Sequence, residues 1–200
     1  MMEVLHQTFY RISNALLAPT LVVLLCLAAW IILMSGGLLR ELASRRPVRQ
    51  ACRTARRRLQ EGNPAAAVWE CLAACPAGLP ARLMREIGGS NHDPRETSKC
   101  LEDLESDVAT ALSKLTWITR TAPMLGLMGT LIPLGPALTG LATGDMSALS
   151  GNLVVAFTAT VMGVLVGCLS FTLSTIRRNW YHRDLGDLEY IVHRLHESSP

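Results

Sequence analysis

The sequence predicts an all-α integral membrane protein, with three transmembrane helices and long cytoplasmic helical extensions of spans two and three. Three observations predict it. Charged residues and histidines are absent from 12–39, 121–144 and 146–176 and crowd into the rest of the chain. A helix rises about 1.5 Å per residue, so the 24 residues of 121–144 reach about 36 Å, enough to cross ~30 Å of hydrocarbon. The basic residues are also sorted: of 19 Lys and Arg, one (Arg11) precedes the first run, 14 lie in 40–120, and four follow the last run. Finally, apolar residues outside these runs keep a helical period, and nothing reads as a strand.

Orientation follows from the basic flanks. Arg40, Arg45 and Arg46 after the first run, and Arg177 and Arg178 after the third, belong on the cytoplasmic side. The chain therefore divides into an extracytoplasmic N-terminus (1–14), a first span (15–39) and a cytoplasmic helical segment (40–120). A second span (121–143), a short outer turn (144–152), a third span (153–176) and a cytoplasmic C-terminal helix (177–200) complete it. The first run is an uncleaved anchor: it far exceeds the ~7–15 apolar residues of a signal peptide, and only Arg11 charges its front. The whole reads as a multi-pass protein of the plasma (inner) membrane.

Within 40–120 the punctuation is dense. A basic helix over 48–61 stops at Gly62, and Asn63-Pro64 reads as N-cap and first helical position of a short helix carrying Val68, Trp69 and Leu72. Cys75-Pro76-Ala77-Gly78 breaks it, a third segment covers 80–87, and Gly88-Gly89-Ser90-Asn91 is a turn. Asp93-Pro94 repeats the cap-plus-proline signature. Leu101, Leu104, Val108, Leu112, Leu115 and Ile118 then recur at steps of three and four, with Glu102, Asp103, Glu105 and Asp107 on the other side. This helix runs on into span two. Beyond span three, Leu185, Leu188, Val192 and Leu195 continue a similar stripe, so the two extensions form a packed helical bundle.

Several function classes are excluded. The run 45–58 holds seven arginines but no aromatic residue for base stacking, so anionic lipid, not nucleic acid, is its partner. Cys26 and Cys168 lie in spans, and Cys52, Cys71, Cys75 and Cys100 in the reducing cytoplasmic segment, which gives reduced thiols and no disulfide framework. Cys71 and Cys75 share a helix face, but with His92 and Cys100 they match no zinc module, so no metal or cofactor is expected. No nucleophile–base pair lies in or near a span, which argues against an enzyme.

Small residues distinguish spans two and three. Ala122, Gly126 and Thr130 fall four apart with Gly129 beside them. In span three, Ala156, Thr160, Gly163, Gly167, Ser170 and Ser174 follow at steps of four, three, four, three and four. Such faces let helix backbones approach closely in lipid, so tight packing is one reading. It leaves the threonines unexplained.

The run Thr121-Ala122-Pro123-Met124-Leu125-Gly126-Leu127-Met128-Gly129-Thr130 resembles the T-x-A-P-x-x-G-L-x-G-T signature of the MotA/TolQ/ExbB proton-channel family. Ala156-Phe157-Thr158-Ala159-Thr160-Val161-Met162-Gly163 is similar to that family's A-L-x-x-T-x-x-G. Three spans fit the ExbB/TolQ branch. The resemblance implies a homopentamer whose second and third helices line a pore around single-span ExbD/TolR/MotB-type partners, each bringing a membrane-embedded aspartate. By it, Thr130, Thr160 and Thr158 are the expected pore-lining residues of a proton pathway, proton rather than sodium being the branch's ion. Ala122, Gly126, Gly129, Ala156, Gly163 and Gly167 form the expected packing and pore face, and Thr121 and Pro123 belong to the motif.

The residues support this reading on their own chemistry. Intramembrane carboxylates mark proton pathways, and these spans contain none. Hydroxyls hydrogen-bond and hold water but do not titrate near neutral pH. Thr130 and Thr160 can therefore only hydrate and position a carboxylate supplied by another chain. Two departures stand out: Leu153-Val154-Val155 where many ExbB-like chains carry a glutamate, and Pro133 where the family has glycine. They motivate the alternative of a non-conducting membrane scaffold of the same architecture.

Overall fold

The computed structural model describes residues 1–75, 78–87 and 94–197. Five helices account for nearly all of them: α1 (Met2–Gln60), α2 (Ala65–Ala73), α3 (Gly78–Ile87), α4 (Pro94–Thr143) and α5 (Met146–Glu197). No strand occurs among the described residues. Three helices, α1, α4 and α5, are long and apolar enough to cross a membrane. The chain separates into two compact units, Met1–Ser35 with Lys114–Leu173, and Gly36–Ser113 with Ser174–Pro200.

The first unit is built by narrow buried stripes. Thr20, Leu24, Ala28 and Ile31 are buried along α1, while Val22, Leu25, Trp30 and Leu33 are exposed. Along α4 from residue 122 onward the buried residues are small or ring-closed: Ala122, Gly126, Gly129, Pro133, Ala137 and Gly140. The large apolar side chains point outward instead, Met124, Leu127, Leu131 and Leu138 on α4 and Phe157, Val161, Val164 and Phe171 on α5. In water so much exposed apolar surface is an aggregation liability; in hydrocarbon it is an ordinary lipid-facing surface.

The second unit has a water-soluble type of core. Leu104 and Val108 of α4 and Leu188, Ile191, Val192 and Leu195 of α5 enclose it, with Ala55 of α1. The short helices α2 and α3 fill it with Val68, Trp69 and Leu72, and with Leu79, Leu83 and Ile87. Each such side chain fully buried contributes about 1.5–3 kcal/mol. Leu101, Leu112 and Leu185 pack partly buried against the same cluster, whereas Leu115 and Ile118 are buried in the first unit.

Local differences from the sequence reading have physical causes. The basic segment 48–61 is not a separate helix, because α1 continues unbroken through Pro47 to Gln60. An interior proline costs about 3 kcal/mol, but Arg45 before it and Val48, Cys52 and Ala55 after it are all buried and hold both sides in place. The N-cap of α2 is Pro64, not Asn63: Pro64 is extended (φ −60, ψ 147) and its carbonyl accepts from Ala67 N–H at 2.9 Å. Helix α3 begins at Gly78, two residues before the expected start. The turn placed over 144–152 is only Gly144-Asp145. Gly144 sits at φ +77, the Asp145 N–H donates to Gly140 O at 2.8 Å, and Asp145 Oδ1 caps α5 by accepting from Ala148 N–H at 2.9 Å. Residues 146–152 are helical. The expected turn at Gly88-Gly89-Ser90-Asn91, His92 and the Asp93 cap lie outside the described residues.

Candidate functional site

Lipid gives helices no hydrophobic drive to associate, so contact between spans rests on close backbone approach. The first unit achieves it by having almost no side chains between α4 and α5. A Cβ added to Gly163 would lie 2.8 Å from both the Ala122 carbonyl oxygen and Gly126 Cα. On Gly126 it would meet Ala159 O at 3.1 Å, on Gly129 the Ala159 Cβ at 2.6 Å, and on Gly167 the Pro123 Cγ at 2.8 Å. Contacts below 3.0 Å are essentially never made by real Cβ atoms. Ala156 is buried on α5 as well. Five of the six small residues picked out by the sequence, Ala122, Gly126, Gly129, Gly163 and Gly167, thus lie in the close α4–α5 contact within one chain, and the sixth, Ala156, is buried.

A side-chain hydrogen bond crosses the seam: Ser170 Oγ, fully buried, donates to Leu115 O at 2.8 Å. That carbonyl also accepts from Thr119 Oγ1 at 2.9 Å. Interhelical bonds of this kind contribute about 0.6 kcal/mol on average, so the backbone contact is the larger effect.

The threonines flank the seam unequally. Thr160 is half-buried beside Ala159, and its Cα lies 3.6 Å from a Cβ built on Gly126. Thr130, next to Gly129, is also half-buried. Thr158 is exposed, two residues round the helix from Thr160, among outward-facing Phe157 and Val161. Every one of these hydroxyls has spent its proton on its own helix: Thr130 Oγ1 to Leu127 O at 2.6 Å, Thr158 Oγ1 to Val154 O at 2.7 Å, Thr160 Oγ1 to Ala156 O at 3.3 Å. Thr121 Oγ1 does the same with Trp117 O at 2.9 Å. What remains on each oxygen is acceptor capacity.

The second unit holds a buried ionic cluster that sequence reasoning missed. Arg45 donates to Asp184 through Nη1 and to Glu41 Oε1 through Nη2, the latter at 3.0 Å. Its guanidinium stacks 4.6 Å from the Trp180 ring centroid. Arg177 Nε lies 3.6 Å from Glu41 Oε2, and Tyr181 Oη donates to that oxygen at 3.4 Å. Burial raises the Asp184 carboxyl above its ordinary range despite the opposing pull of Arg45. Burial, with Asp184 and Asp187 nearby, pushes the Cys52 thiol up to about 12, so it stays protonated and inert. A signal for the cluster existed. Asp184 shares a helical stripe with Leu188 and Ile191, and Arg45 one with Val48, Cys52 and Ala55. No group of three or more metal-ligating side chains is placed to hold an ion among the described residues.

Among comparisons with known proteins, a search of curated sequences returns no match. The model of the MotA/TolQ/ExbB proton channel family matches residues 81–189, more than half of the 200-residue chain. The match takes in most of α3, all of α4 and most of α5, and so the whole glycine seam and its threonines. Together with three membrane-length apolar helices, it makes the protein a multi-pass membrane protein. The chain belongs to the MotA/TolQ/ExbB proton channel family.

Proposed function

We propose that the chain is an ExbB/TolQ-like subunit of an ion-driven, energy-transducing complex of the inner membrane. Several copies, five by analogy with the family, surround a single-span ExbD/TolR/MotB-type partner, and α4 and α5 line the proton pathway. The observation that carries this reading is a division of chemistry. The apolar runs contain no titratable group, while Thr130, Thr158 and Thr160 keep only acceptor capacity. Acceptors of this kind match O–H donors, either water or a protonated carboxyl carried past on another helix.

Replacing Thr160 with Val tests it. Partner-dependent proton flux in reconstituted vesicles is expected to be abolished while the oligomer remains intact. Unchanged flux overturns the pore-lining role, and loss of the oligomer assigns Thr160 to packing alone. A second reading, a non-conducting scaffold, is favoured by Val154 and Val155 in place of an acidic residue and by the buried Pro133. It predicts that the unsubstituted chain carries no flux with its co-purified partner.

A further inference from the structure

We infer that a groove between α4 and α5 in the second unit docks the cytoplasmic flank of the single-span partner, a short Lys- and Arg-rich segment. The groove encloses about 510 Å³. Leu101, Leu185 and Val192 form its apolar floor, and Glu102, Glu105 and Glu189 its rim. At Gly186 the α5 wall is low: a Cβ there would meet nothing within 4 Å, which leaves room for an incoming chain.

The groove lies on the side of α5 away from α1. Asp184 pairs with Arg45 of α1, and Arg56 of α1 lies 3.7 Å from Asp187 and 5.1 Å from the Tyr190 ring centroid. No residue of α1, α2 or α3 lines the groove. Sequence spacing ties this side to the threonines. Glu105 precedes Thr130 by 25 residues and Glu189 follows Thr160 by 29. These are about seven and eight helical turns, so each glutamate shares its threonine's stripe. A ring in which α4 and α5 are innermost therefore turns the groove to its axis, where the partner stands. The inference rests on that reading.

Charge selects the occupant. Three carboxylates share the lining with two imidazoles, His182 and His193. Lys99 is already held 3.0 Å from Asp103 and 3.7 Å from Glu102, and His193 Nδ1 lies 3.5 Å from Glu197 Oε1. With neutral imidazoles the lining is acidic; protonated ones cancel part of that charge, so the docking weakens on acidification. A single-span chain leaves a flank on the cytoplasmic side, and the positive-inside bias makes such flanks rich in Lys and Arg. Apolar residues between the basic ones fit the leucine and valine floor. Anionic lipid headgroups are repelled by the same rim, and the α1 of every copy lies on the far side of its own subunit.

A photoreactive benzophenone amino acid in place of Gly186, in membranes carrying the full complex, reads the occupant directly. The expected crosslink joins it to a Lys- or Arg-containing peptide of the co-purified single-span chain, on the cytoplasmic side of its span. Capture of lipid, of a second copy of this chain or of nothing, while the partner still co-purifies, overturns the docking and leaves the ring reading in place. Rim charge gives an independent readout. Glu105→Lys with Glu189→Lys lowers the crosslink roughly tenfold, and added salt lowers it with the rim unsubstituted. The oligomer of this chain persists in the double variant, which separates lost docking from lost assembly. A crosslink insensitive to both rim charge and salt overturns the docking as well. If no single-span chain accompanies the unsubstituted complex, the ring reading falls with the inference.

Discussion

A carboxylate held among apolar helices costs several kcal/mol unless it is paired, and Asp184 is both buried and paired with Arg45. Because burial raises its carboxyl above the ordinary range, the folded chain binds that proton more tightly than the unfolded one. Stability from this site is full below about pH 4 and is lost as the pH rises through the folded value. The unfolding midpoint of the unsubstituted chain should therefore rise relative to Asp184→Asn as the pH falls from about 7 to about 5. A gap that narrows on acidification would contradict the raised value. Legibility at this scale was uneven for a physical reason. Thr130 and Thr160 stood out because a hydroxyl in a charge-free run is conspicuous, whereas Asp184 was hidden among many charges and showed itself only by its place on a buried stripe.

The helices were legible in kind and number of spans, less so in extent. Periodicity found the stripes of Leu104 and Val108 and of Leu188 and Val192, which the core uses. Proline and glycine misled at Pro47 and around residue 144, because tertiary contacts on both sides override a local break and because an uncharged run does not show where its helix begins. The Gly144-Asp145 pair carried the information: a residue in the left-handed region followed at once by a capping carboxylate.

The seam offers a contrast of sign at this scale. Gly163→Ala places a methyl against Ala122 O and Gly126 Cα, backbone atoms that cannot swing away, and should cost about 1–3 kcal/mol. Gly36→Ala, inside α1 with nothing within 4 Å, should gain up to about 1 kcal/mol from helix propensity. Thermal unfolding in detergent checks both; equal effects would show that the seam is not tight.

For the molecule as a whole, the family was legible because its motif spans the two helices that pack together, and the match over 81–189 covers them both. On the function proposed above, the rest of the site was not legible in one chain, because the apolar runs hold no titratable group and the proposed pathway would take one from a partner. Orientation can be tested directly. With 14 of the 19 basic residues in 40–120, we propose that this stretch is cytoplasmic. A protease site inserted between Gly144 and Asp145 should be cut from outside in intact spheroplasts, and one inserted after Gln60 only after lysis. The reverse pattern would invert the topology.

The two-residue turn at Gly144-Asp145 has a mechanical consequence. Between Thr143 and Met146 there is almost no chain beyond the helix ends, so this hairpin offers nothing to grip a load on its own side of the membrane. In the proposed complex, force delivered there must leave on the partner.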